Sequence, residues 1–164
     1  MSTNLSQNAA FDNVDDLLNA TMDDVAELPP LAIPPTGTYT LKVSIARKEV
    51  GGKDALVTSY EVLETHEVAN EAEAGEVKIG QQFQNGTYTK KKDGKANEMG
   101  IAAFKGSLVP FAAHFFPGSE GTTTLGDIIA KVDGIHVLAS LKRTPKKDGA
   151  DDEFNFRMKS VTVL

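Results

Sequence analysis

The sequence contains no cysteine, which excludes disulfides, thiolate metal sites and thiol nucleophiles. Tryptophan is also absent, and aromatic residues make up only 7 % of the 164 positions. The three histidines, His66, His114 and His136, are far apart, so a histidine-based metal cluster is not expected. Nothing in the chain points to a cofactor. No apolar run reaches the ~18 residues that a membrane-crossing helix requires. The opening MSTNLSQNAAFDNVDD lacks the basic start and apolar stretch of a secretory signal. A cytoplasmic location with no membrane partner is therefore expected.

Lysine and arginine are missing from residues 1–30, which hold Asp12, Asp15, Asp16, Asp23, Asp24 and Glu27. The chain carries a net charge of −6; with those six acids set aside, 17 acidic residues balance 17 basic ones over 31–164. The body is thus neutral overall, which leaves room for a basic patch on one face.

Catalytic motifs are missing as well. There is no nucleophile elbow, phosphate loop or Ser/His/Asp spacing. Gly51-Gly52-Lys53 reads as a turn, since no helix follows it. Asp151, Asp152 and Glu153 read as solvated turn residues, and His114, within AAHFF, as a structural residue. His66 and His136 fall in strands without a partner that spacing identifies. An enzyme is not expected.

What is present is a change of period. Phe11, Val14, Leu18, Met22 and Val25 recur every three or four residues, the period of one amphipathic helix or two short ones. The proline-rich PPLAIPPTG over 29–37 forbids helix and reads as a semi-rigid linker. Residues 1–35 are accordingly read as an acidic N-terminal tail and 36–164 as the folded domain.

From Thr36 the period becomes two. Tyr39, Leu41, Val43 and Ile45 alternate with Thr38, Thr40, Lys42 and Ser44, as in a half-buried strand. A turn at 51–55 leads to a second strand ending near Val68. A third is expected over 76–89, with Gly80 as a bulge. Residues 90–100 read as a polar, basic loop. In the apolar stretch 101–116, Pro110 argues against one continuous helix. One helix is expected after Thr122–Thr124, with Leu125, Ile128, Ile129 and Val132 on its apolar face and Gly134 closing it. A fourth strand, a hairpin containing Asp148-Gly149 and a fifth strand complete the chain. Phe154, Phe156 and Met158 share one face of that last strand. Five strands with a helix between the third and fourth is the order of a five-stranded OB-type barrel, an all-β fold with one helix. Another small β-sandwich or barrel with a helical plug has the same pattern.

Three clusters of basic residues fall near turns of this arrangement. Arg47, Lys48 and Lys53 flank the first hairpin, with Lys42 further back on the strand. Lys90, Lys91, Lys92 and Lys95 crowd the loop after the third strand. Lys142, Arg143, Lys146 and Lys147 crowd the last hairpin, with Arg157 and Lys159 on the strand beyond. In an OB barrel the loops between strands one and two and between four and five flank the nucleic-acid groove. Lysines there supply sequence-blind affinity for phosphates, and aromatic rings stack on unpaired bases. Tyr60, Phe83, Tyr88, Phe154 and Phe156 are the candidate rings, with Tyr88 favoured because it adjoins Lys90–Lys92. The alternative for the lysines is solubility or edge protection, and for Phe154 and Phe156 a place in the core. The stripe Phe11, Val14, Leu18, Met22 and Val25 suits a partner's groove. It equally suits packing on its own domain.

The stretches LPPLAIPPTGTYTLKV, TLGDIIAKVDGIHVLASLKRTPKKDG and EFNFRMKSVTVL together resemble the OB-fold single-stranded-DNA-binding proteins of tailed bacteriophages. The resemblance is one of pattern. It implies DNA replication or recombination in the cytoplasm of the host cell: coating of single-stranded DNA, recruitment of replication proteins, and a homo-oligomer as a compatible state. Well-known members carry their acidic tail at the C-terminus, whereas here the acidic segment is N-terminal. Two other classes fit the same features: a phage structural or assembly protein using the acidic helix as an arm, and an inhibitor whose acidic helix mimics DNA.

Overall fold

The computed structural model describes residues 13–24, 32–70, 72, 76–147, 149 and 154–164. The chain divides into two units, residues 1–30 and 31–164.

In the first unit, helix α1 spans Val14–Leu18 and a 3₁₀ turn spans Met22–Asp24. Asn13 opens α1, its Oδ1 accepting from the Asp16 N–H at 2.9 Å. Asp15 and Asp16 sit in the first turn, where carboxylates complement the free N–H groups. The predicted amphipathic stretch is thus two short pieces. Val14, Leu18 and Met22 are 70 %, 75 % and 92 % exposed; Phe11 and Val25 lie outside the described residues.

The second unit holds strands β1 (Gly37–Val50), β2 (Lys53–Val68) and β3 (Gln82–Tyr88), helices α2 (Glu98–Phe115) and α3 (Leu125–Val132), then β4 (Ile135–Pro145) and β5 (Phe154–Val163). The strands form one antiparallel sheet in the order β3-β2-β1-β4-β5, curled strongly into a half-barrel. The curl has a local cause. Against β1, β2 carries two extra residues, Leu63 and His66, and against β4, β5 carries one, Lys159. Each such bulge bends its strand and increases the twist. The β1–β2 hairpin closes on Gly51 and Gly52 alone, with φ of 58° and 77°. Positive φ at both positions defines the tight turn whose twist matches its strands.

The alternation in β1 is realised: Tyr39, Leu41, Val43 and Ile45 are buried, together with Val62, Phe83, Val137, Ala139 and Leu141. Phe104, Leu108, Phe111 and Ala112 of α2 and Ile128 and Val132 of α3 complete this core. Thr124 caps α3, its Oγ1 accepting from the Asp127 N–H at 3.1 Å. Phe156 and Met158 lie half-buried against the core.

Several expectations are corrected. The single helix between β3 and β4 is a pair. The first of them, α2, runs unbroken through Pro110. An interior proline costs a helix ~3 kcal/mol, but burying each large apolar side chain contributes ~1.5–3 kcal/mol, and Phe104, Leu108 and Phe111 are all buried by α2. The helix also begins at Glu98, so the basic loop ends at Asn97. The third strand is shorter than predicted and starts at Gln82. Gly80, with φ of 87°, belongs to a turn in which the Gln81 N–H donates to the Lys78 carbonyl at 3.0 Å.

The segment read as a linker is part of the body from Ala32 on. Pro34 and Pro35 are fully buried. The Ala32 N–H donates to the Gln82 carbonyl at 2.9 Å, the Gln81 amide donates to the Ala32 carbonyl, and the Tyr39 hydroxyl donates to the Pro35 carbonyl. Prolines need no donor partners for their nitrogens, so an extended Pro-Pro strip packs without leaving N–H groups unsatisfied.

Candidate nucleic-acid interface

Register arranges the face of β1, β2 and β3 that is turned away from the core. Four rows cross the three strands: Lys48, Ala55 and Tyr88; Ala46, Val57 and Gly86; Ser44, Ser59 and Gln84; Lys42, Glu61 and Gln82. Lys42, Lys48 and Gln84 are exposed. Tyr88 is half-buried, and its ring stands 4.0 Å from where a Cβ on Gly86 would lie. Ala55 and Val57 are buried, so the exposed residues of these rows are Lys42, Ala46, Lys48, Gln84 and Gly86, and Tyr88 shares its row with Lys48 across Ala55.

The lysine loop after β3 is a built element. The Asn97 amide donates to the Tyr88 carbonyl at 2.9 Å while its Oδ1 caps α2 by accepting from the Gly100 N–H at 3.2 Å. The Asn97 N–H donates to the Thr89 carbonyl at 3.0 Å. Lys90 bridges Ala96, the Lys91 N–H donates to the Lys95 carbonyl at 2.8 Å, and the Gly94 N–H donates to the Lys91 carbonyl at 3.0 Å. A small hairpin thus carries Lys90, Lys91, Lys92 and Lys95, all exposed, next to Tyr88. Lys48 and Lys53 approach from the β1–β2 turn at the same end of the sheet. Sequence reasoning missed Asn97, whose double role needs both the strand end and the helix start to be known.

Arg47 and Arg143 are committed elsewhere. Arg47 forms a two-pronged ion pair with Asp54, at 2.9 and 2.7 Å. That hydrogen bonding holds the Asp54 carboxyl below its usual range and raises the Arg47 guanidinium. Arg143 has a side chain only 9 % exposed. It donates to the Ile33 carbonyl at 3.2 Å and to Glu76 at 3.0 Å.

The remaining candidates are divided. Lys142 stands directly opposite Arg157 on β4 and β5, and Lys146 and Lys147 follow β4, all exposed. They belong to the end of the sheet where β1 begins, since Gly37 pairs with Leu141. About 40 Å of strand, at ~3.3 Å per residue, separates that end from the β1–β2 turn. The three predicted clusters are therefore two patches. Between them β2 presents Glu61, Glu64 and Glu67. Lys159, the bulged residue of β5, lines a groove beside α2.

Of the candidate rings, Tyr60, Phe83 and Phe156 face inward and pack on one another: Tyr60 stacks on Phe83 at 5.0 Å, and Phe156 meets Phe83 edge-on at 4.9 Å. Burial raises the Tyr60 hydroxyl to about 12. Phe154 lies under Arg143. His66 meets Thr40, Nε2 to Oγ1 at 2.7 Å, whereas His114 is exposed with its ring edge-on to Phe115 at 4.7 Å. Among the described residues no three His, Asp or Glu side chains converge as a metal ion requires, and no helix is long and apolar enough to cross a membrane. No protein-family model matches the chain, and no curated protein is significantly similar to it.

Proposed function

We infer that the curled sheet is an OB-type barrel and that it binds single-stranded DNA through phosphates and stacking, with little sequence preference. The observation that carries this reading is the meeting of Tyr88 with Lys48, Lys53, Lys90, Lys91, Lys92 and Lys95 at one end of the sheet. Lysines contacting phosphates release counterions whatever the sequence, and a ring at their centre offers a base something to stack on. The strand order, with helices between the third and fourth strands, supports an OB-type platform. A role in phage DNA replication or recombination follows from the resemblance noted above.

The test is fluorescence anisotropy of labelled oligo-dT at low and raised salt, with duplex of equal length as competitor. Salt-sensitive binding that duplex fails to displace supports the reading. No binding at low salt overturns it.

A second reading concerns the first unit. Val14, Leu18 and Met22 are exposed on an acidic segment, which suits a partner with an apolar groove rimmed by basic residues, such as a replication or assembly protein.

A further inference from the structure

The half-barrel is open between its edge strands β3 and β5, and α2 lies across that opening, touching both. Between α2 and β5 a groove of about 530 Å³ remains, within the ~300–1,000 Å³ range of small-ligand sites. Its floor is aromatic and aliphatic, with Tyr60, Phe111 and Phe156 among the lining side chains, and Arg157 and Lys159 stand along its β5 side. No carboxylate lines it among the described residues.

Three features argue that the space is kept for a ligand. Gly106 sits in the wall, in the middle of α2, where glycine destabilises a helix relative to alanine. A Cβ built there meets no atom within 4 Å, so packing does not demand glycine. Pro110, four residues on and also in the wall, has no N–H to offer the Gly106 carbonyl, which leaves a backbone acceptor beside the groove. Opposite, the Tyr60 hydroxyl makes no hydrogen bond among the described residues. As a phenol it is a hydrogen-bond donor at neutral pH. The Asn85 amide adds one more donor and acceptor.

We propose that this groove binds a nucleoside monophosphate, with the base against the half-buried Phe156 and the phosphate toward Arg157 and Lys159. A planar aromatic ring with mixed donors and acceptors fits the floor, and an anion fits a mouth that has cations and lacks carboxylates. Lys159 reaches this position because it is the extra residue of the β5 bulge. The same chemistry has two sources, a free nucleotide or one nucleotide of a bound strand. The inference stands whether or not the lysine face holds a strand.

The experiment titrates the full chain with dAMP and dTMP by calorimetry and with labelled oligo-dT by anisotropy. Three proteins are compared: wild type, Gly106→Phe, which fills the groove, and the double variant Arg157→Ala with Lys159→Ala. Circular dichroism and the melting midpoint report whether Gly106→Phe folds; if it does not, the double variant, altered only at exposed positions, carries the test. Saturable mononucleotide binding weakened about tenfold or more in the variants, with oligo-dT affinity unchanged, assigns a free nucleotide. If oligo-dT weakens by a similar factor in Gly106→Phe, or in the double variant where that protein does not fold, a nucleotide of the strand occupies the groove. If no mononucleotide binds and oligo-dT affinity is unchanged in the variants, the proposal is overturned while the single-strand reading survives. If mononucleotides bind and oligo-dT does not, the reverse holds. If neither binds to the wild type, both are overturned.

Discussion

The Arg143 guanidinium lies 4.0 Å from the centre of the Phe154 ring. It thereby joins β4 to the start of β5, and through Ile33 and Glu76 it reaches the Pro-Pro strip and the loop before β3. A residue read as a phosphate ligand thus ties β4 to three other segments.

Replacing Arg143 with Ala should therefore lower stability by about 1–3 kcal/mol, since it removes the donor to the half-buried Ile33 carbonyl and the packing on the Phe154 ring. Lysine should restore only part of it, since it cannot reproduce the forked, stacked geometry. Urea unfolding midpoints of the two variants check this. A wild-type midpoint for Arg143→Ala would show that the tie carries no stability.

The lysine hairpin should dominate strand binding. Changing Lys90, Lys91, Lys92 and Lys95 to Ala should weaken oligo-dT binding for all sequences alike. It should also flatten the plot of log affinity against log salt by ~0.7 for each phosphate no longer neutralised. Changing Lys142, Lys146 and Lys147, at the far end of the sheet, should have the smaller effect. The reverse ranking would move the interface to the β4–β5 end.

Tyr88 offers the sharper probe of stacking. Tyr88→Ala should cost about 1–3 kcal/mol of binding, roughly a tenfold to hundredfold loss, whereas Tyr88→Phe should bind nearly as wild type. Equal losses in both would point to the hydroxyl instead of the ring face.

Tyr60 links stability to alkaline pH. Burial raises its hydroxyl from 10.0 to about 12 in the folded chain, so the neutral form is favoured by folding. That contribution is fully present below pH 10 and is lost as pH rises toward 12, because the unfolded chain gives up the proton first. The melting midpoint of Tyr60→Phe should fall less steeply than that of the wild type across this window. Parallel slopes would count against a buried hydroxyl.

Removing residues 1–30 takes away six acidic residues and no basic ones. Oligo-dT should then bind more tightly and associate faster at low salt, since long-range repulsion is relieved. Weaker binding would indicate that the acidic segment contributes to the complex.

The sequence by itself determined whatever depends on near neighbours. The period-two run Tyr39 to Ile45 specified which face of β1 is buried. Thr124, the apolar spacing through Val132 and Gly134 bounded α3, and Gly51-Gly52 specified a turn. These signals are local because caps, turns and alternation act within a few residues. Only the tertiary structure decided the rest. Pro110 stays in a helix because the core behind Phe104, Leu108 and Phe111 outweighs its cost. Pro34 and Pro35 are buried because the body offers a surface for them. Arg47 and Arg143 are withdrawn from the candidate site by Asp54 and Glu76, and β-register places Tyr88 in one cross-strand row with Lys48 while sending Lys142 to the other end. Pairing across the sheet and between distant charges depends on which strands become neighbours. Periodicity along one strand carries no record of that.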